Sequence, residues 1–189
     1  MKYSRTAMLN FMALCCILGI FTKKLVNPAA NIITEILRIP GGVSTAFSIM
    51  YLVIAAEMVK FSDSELTEME KRLCATLMAL VQGLLSLALG RVGSMGIFMP
   101  VSFLATGVVI DLVYGVSRLF SLSRKERMVF SDALAAVAAS VTANLIVFHL
   151  PLEALGLYLC VSAISGTVFG MLGEKITGRL FLVKRKEHR

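Results

Sequence analysis

The chain has 189 residues, of which 57% are hydrophobic and only 16% charged, against about 25% charged in soluble domains, and its mean hydropathy is +0.82. A soluble globular enzyme is excluded by where the charges fall, because they gather between long apolar runs instead of spreading over a hydrated surface. The formal net charge of +7 does not point to nucleic acid: the basic residues flank hydrophobic segments and form neither an aromatic-interleaved patch nor a recognition helix.

A bilayer core takes about 20 apolar residues per helix, with roughly 17 to 25 workable. The first such run, TAMLNFMALCCILGIF, predicts a helix from residue 6 to 25, with Lys23 and Lys24 snorkelling to the interface. The following NPAANIITEILRIPGG has mixed three-and-four spacing at Ile32, Ile33, Ile36, Leu37 and Ile39 and ends at Pro40-Gly41-Gly42, which predicts a short nonspanning helix. Further spans are predicted at 43–60, 74–90, 94–120, 132–150 and 154–175. The fold expected is therefore all-α, a six-transmembrane-helix bundle forming a single integral-membrane domain over 1–189. Two polar links join the spans. KFSDSELTEMEKR offers Ser64 or Thr67 as a helix cap, and SRLFSLSRKERMVFSD has an amphipathic look whose basic residues suit anionic lipid or a cytoplasmic partner.

Charge sets the orientation. Of the 19 Lys and Arg, only Lys23, Lys24, Arg38 and Arg91 fall on one side of a six-span arrangement. The positive-inside rule then places both termini in the cytoplasm of a multi-pass cell-membrane protein. The four cysteines, Cys15, Cys16, Cys74 and Cys160, lie in apolar stretches without metal-ligand spacing and read as ordinary buried thiols.

Ionisable and amide groups inside spans each need a reason. Asp111 lies well inside the fourth span, seven residues from Arg118, so its partner is expected on another helix; it reads as a structural anchor, a coupling residue or a ligand contact. Gln82 and Asn144 offer donors and acceptors that suit either a planar heterocycle or interhelical bonding. Glu35, Arg91, His149, Glu153 and Tyr158 fall toward the external ends of their segments, with Asn31 in the first loop and Tyr51 on the second helix. Together they could line an outward-facing cavity or simply anchor helices in the interface. Glu57 and Glu174, near basic helix ends, read as local charge partners. Small residues four apart, Ala135 and Ala139 on the fifth span and Gly166 and Gly170 on the sixth, mark close helix packing or a partner contact.

Catalytic chemistry is undersupplied. There is no Gly-rich phosphate loop ending in Lys-Ser/Thr, and His149 and His188 cannot form a His-Glu-x-x-His site. No enzyme activity, metal or cofactor is expected.

Six short helices, cytoplasmic ends and a nonspanning first loop over residues 5–180, with the stretch ATLMALVQGLLSLALGRVGSMGIFMPVSFLATGVVIDLVYG, resemble the substrate-binding S component of energy-coupling-factor (ECF) vitamin transporters, thiamin-related members in particular. The resemblance implies a non-enzymatic, high-affinity capture subunit that joins a transmembrane coupling protein and two cytoplasmic ATPases and topples in the membrane to release substrate. It also implies a ligand near the outer side, at the first loop and helices 4 to 6, where Asn31, Glu35, Asn144, His149, Glu153 and Tyr158 occur. Two departures stand out: the alanines four apart usual on helix 1 are missing, Ala7 being followed by Phe11 and Ala13 by Ile17, and Trp is absent. Other readings are a membrane scaffold or assembly subunit without a small-molecule substrate, which predicts a filled outer bundle, and an autonomous carrier or channel, which predicts an aqueous path.

Overall fold

The computed structural model describes residues 3–37, 43–90 and 93–187, with side chains described outside 23–27, 29–37, 43, 93–94 and 182–187. Its helices are α1 (Arg5–Leu37), α2 (Val43–Phe61), α3 (Glu68–Arg72), α4 (Cys74–Ala88), α5 (Met99–Leu119), α6 (Arg124–Ala143) and α7 (Leu152–Glu187). A 3₁₀ stretch, Gly93–Phe98, leads into α5, and a π-helical turn, Asn144–Phe148, closes α6.

The all-helical expectation holds, but the number of full spans differs. Among the described residues five helical stretches are long and apolar enough to cross a membrane: Arg5–Thr22, Ser44–Phe61, Met95–Leu119, Arg124–Phe148 and Leu152–Phe181. The predicted third span falls short. With 15 residues, α4 rises about 22 Å against about 30 Å of hydrocarbon. It starts only after Leu73 breaks it from α3, and it stops where Gly90 takes the left-handed conformation at φ +65°.

The separate nonspanning helix predicted between the first two spans is a further correction. Residues up to Leu37 continue α1 without a break, through Pro28. A proline removes one N–H and so one rung of the ladder, and a helix can continue past it. The link from 117 to 132 is also more ordered than its polarity suggested. Ser123 caps α6 in a capping box with Glu126, so Arg124 onward already belongs to the helix. Thr67 caps α3 in the same way with Glu70, and the Thr67 N–H and hydroxyl hold the Glu70 carboxyl below the usual carboxylate range.

Helix α2 is the axis of the bundle, packing against α1, α4, α5, α6 and α7. Ala46 and every residue from Leu52 to Val59 are buried. Around it the neighbours turn Leu14, Leu84, Leu112, Leu134 and Ile164 outward, a surface suited to lipid. Cys15, Cys16 and Cys74 are buried as expected, whereas Cys160 is exposed because it lies on the outward face of α7.

Two seams of small residues hold helices close. The predicted stripe on α6 and α7 lies inside this chain: Ala135 and Ala139 are buried, and a Cβ at Gly166 or Gly170 would sit 2.6 Å from Ala133 Cα or 2.8 Å from Val129 Cα. The second seam joins α4 to α5. A Cβ at Gly107 would stand 2.7 Å from Ala75 O, Ala79 Cβ and Thr76 Cα, and one at Gly83 would stand 2.8 Å from Pro100 Cα. Gly107→Val is therefore expected to destabilise the protein by about 1–3 kcal/mol, the usual range for overpacking. Gly156→Ala, with open space around it, should unfold near the wild-type temperature in the same detergent. Equal midpoints for the two variants would refute the close α4–α5 seam.

Candidate functional site

Two buried ion pairs lie at one end of the bundle. On α2, Glu57 is 1% exposed and receives a two-pronged guanidinium from Arg127 of α6, Nε to Oε2 at 3.0 Å and Nη2 to Oε1 at 2.6 Å. Arg127 also lies over the Phe61 ring, 3.7 Å from its centroid, and donates to Leu122 O. The planar fork and the stacked ring together suit a buried arginine.

One turn further along α2, Lys60 Nζ lies 2.7 Å from Asp111 Oδ1 and donates to Arg72 O at 2.8 Å. Asp111, on α5, does a second task. It accepts from the backbone N–H of Thr76 at 2.8 Å and of Ala75 at 3.3 Å, and from the Thr76 hydroxyl at 2.6 Å. These are first-turn N–H groups of α4, whose own N-cap, Leu73, provides no side-chain acceptor. A helix start otherwise bare is thus capped from a neighbouring helix. Outside these pairs Arg124 meets Glu174, α6 to α7, at 2.7 Å, and Tyr3 pairs with the loop after α2 through Asp63 O and Glu65 N. The first described residue and the late turns of α7, where Gly178 lies by Arg124, share this basic end.

A cavity of about 460 Å³ opens here, bounded by Lys60, Arg72, Thr76, Asp111 and Arg118 among others.

The opposite end carries Asn144, His149, Glu153 and Tyr158 of the residues that sequence reasoning assigned to a ligand. Asn31 and Glu35 lie outside the described side chains, and Arg91 outside the described residues. The turns 93–98 and 144–148 pack on one another. Asn144 is buried, yet its Oδ1 accepts from Leu150 N at 2.8 Å, tying off its own turn. His149, in the left-handed region at φ 47°, is exposed, with Nδ1 3.3 Å from Val147 O. Glu153 is exposed, and Tyr158 is 3% exposed, edge-on to Phe148. Tyr51 stands edge-on to Phe47, which in turn meets Phe169 of α7. Gln82 is fully buried: its Nε2 donates to Ser48 Oγ at 3.0 Å, and Ser48 donates to Gly19 O at 3.0 Å, linking α4, α2 and α1. Its Oε1 has no partner among the described residues. The structure therefore gathers Asn144, His149, Glu153 and Tyr158 along the π-helical turn and the start of α7, and places Tyr51 on α2 and Gln82 on α4.

Sequence reasoning did not single out Asp132. It is 0% exposed on α6, beside the glycine seam, and neither carboxylate oxygen has a hydrogen-bond partner among the described residues. An ionised carboxylate buried without a partner is among the costliest arrangements a protein can hold. Asp132→Asn is accordingly expected to fold and to raise the thermal midpoint in detergent. A lowered midpoint would show that the carboxylate has a stabilising partner.

Long apolar helices and a lipid-suited surface define the class as a polytopic helical membrane protein. Comparison with protein-family models, curated proteins and solved structures gives no match to the chain.

Proposed function

We propose that the protein is the substrate-capturing membrane subunit of an import system for a vitamin or related small heterocycle, energised by a separate coupling protein and two cytoplasmic ATPases. In this reading it is not itself an enzyme, α4 serves as a short sixth crossing, and the basic end with both termini faces the cytoplasm, as the positive-inside rule favours. The observation that carries the proposal is the asymmetry of the bundle. At the basic end the buried α2 face and two ion pairs tie the helices together behind the cavity beside Asp111, which suits release by movement of the whole subunit. The far end holds the aromatic, amide and carboxylate side chains of Asn144, Glu153 and Tyr158, and the buried Gln82 Oε1, without a partner among the described residues, suits a donor from a heterocycle.

A specific observation also favours the second reading, a scaffold or assembly subunit without a small-molecule substrate: Asn144 and Tyr158 are occupied within the chain. Native mass spectrometry of protein gently extracted from cells in rich medium separates the two. Capture predicts a stoichiometric adduct far lighter than a phospholipid, lost in Gln82→Leu or Tyr51→Ala variants that still fold. A clean apo mass from folded protein, with membrane proteins co-purifying, would replace capture by the scaffold.

A further inference from the structure

The cavity at the basic end has an uneven charge. Lys60, Arg72 and Arg118 face one acid, Asp111, and that acid is already satisfied by Lys60, the Ala75 and Thr76 N–H groups and the Thr76 hydroxyl. Two positive charges are left over. They belong to Arg72, at the end of α3, and Arg118, in the last turn of α5; both residues are exposed, and among the described residues neither guanidinium has an acidic partner. The remaining wall is apolar and opens outward: Leu112 is 62% exposed, Leu73 43% and Val108 40%. Val108 and Leu112 lie one turn apart on α5, on the surface that lipid would cover.

A cleft with two spare guanidinium groups at its polar end and an aliphatic wall leading into the bilayer matches a molecule that carries both an anion and an acyl chain. We propose that this cavity is a binding site for an anionic phospholipid, its phosphate held by Arg72 and Arg118 and an acyl chain lying along Val108 and Leu112. Arginine suits the first task because its planar donors match phosphate oxygens in pairs, and cations at a headgroup surface each strengthen anionic-lipid binding several-fold. Free phosphate would satisfy the charge but leave the aliphatic wall without a purpose. The occupant would also brace the break at Leu73, where α3 hands over to α4.

The test uses the full chain in detergent, titrated with phosphatidylglycerol, phosphatidylcholine or inorganic phosphate and read by native mass spectrometry and by thermal unfolding. Wild type should retain one phosphatidylglycerol in preference to phosphatidylcholine and gain thermal stability from it. Arg72→Ala with Arg118→Ala should weaken that retention roughly 20- to 30-fold, as two surface cations imply, with the lipid-free midpoint unchanged because neither side chain is paired. Lys125→Ala with Arg179→Ala, which removes two exposed charges that do not line the cavity, should bind like wild type. Equal retention of the two lipids, wild-type binding by the Arg72/Arg118 variant, or equal loss in both double variants would overturn the proposal. Protection by inorganic phosphate as strong as that by the lipid would also overturn it, in favour of a soluble-anion site.

Discussion

Asp111→Ala is expected to cost the protein about 3–5 kcal/mol, the range for removing one member of a buried ion pair. Two losses combine in this variant. Lys60, whose side chain is 5% exposed beside Asp111, keeps the Arg72 carbonyl alone as a close polar partner among the described residues, and the first N–H groups of α4 lose their acceptor. Asp111→Asn retains an oxygen for those N–H groups and removes the charge, so it should fall between alanine and wild type. Thermal or denaturant unfolding in a fixed detergent reads the series. An Asp111→Ala variant within about 1 kcal/mol of wild type, the worth of an exposed pair, would show that the cross-helix cap and ion pair contribute little.

The pair formed by Glu57 and Arg127 gives the second large effect, and a sharper test. Arg127→Leu alone should destabilise by about 3–5 kcal/mol, because Glu57 stays buried without its partner. Arg127→Leu combined with Glu57→Leu should recover most of that loss, since a buried pair replaced by apolar groups of similar size is often neutral. The recovery will not be complete in so far as the guanidinium packing over Phe61 adds its own stabilisation. Additive losses in the double variant would mean that the two side chains act independently, contrary to their 2.6 Å contact.

The positions of most apolar helices could be read from the sequence because hydrophobic run length is a one-dimensional signal. That Asp111 requires a partner on another helix was legible too, from the distance to Arg118 along its own helix. The identity of that partner was not: Lys60 lies 51 positions earlier in the chain, and only the crossing of α2 and α5 brings the two together. Ala75, Ala79 and Gly83 carry the same four-residue spacing as Ala135 and Ala139, so the α4 seam could have been found by extending one rule to one more helix. The apolar spacing after residue 25 suggested a separate short helix, whereas it continues α1 through Pro28. Asn144 misled differently: the left-handed backbone at His149 turns the chain so that Leu150 N reaches the amide oxygen, a local closure that polarity alone does not reveal.

The cap that α5 gives to α4 bears on how the chain is made. During synthesis α4 emerges first, too short to cross comfortably and with its leading amides unmatched, while Asp111 is a poor passenger for a lone helix entering lipid. Each segment answers the other's difficulty. The insertion machinery is therefore expected to release them laterally as one hairpin, with α4 waiting at the protein-conducting channel until α5 has left the ribosome.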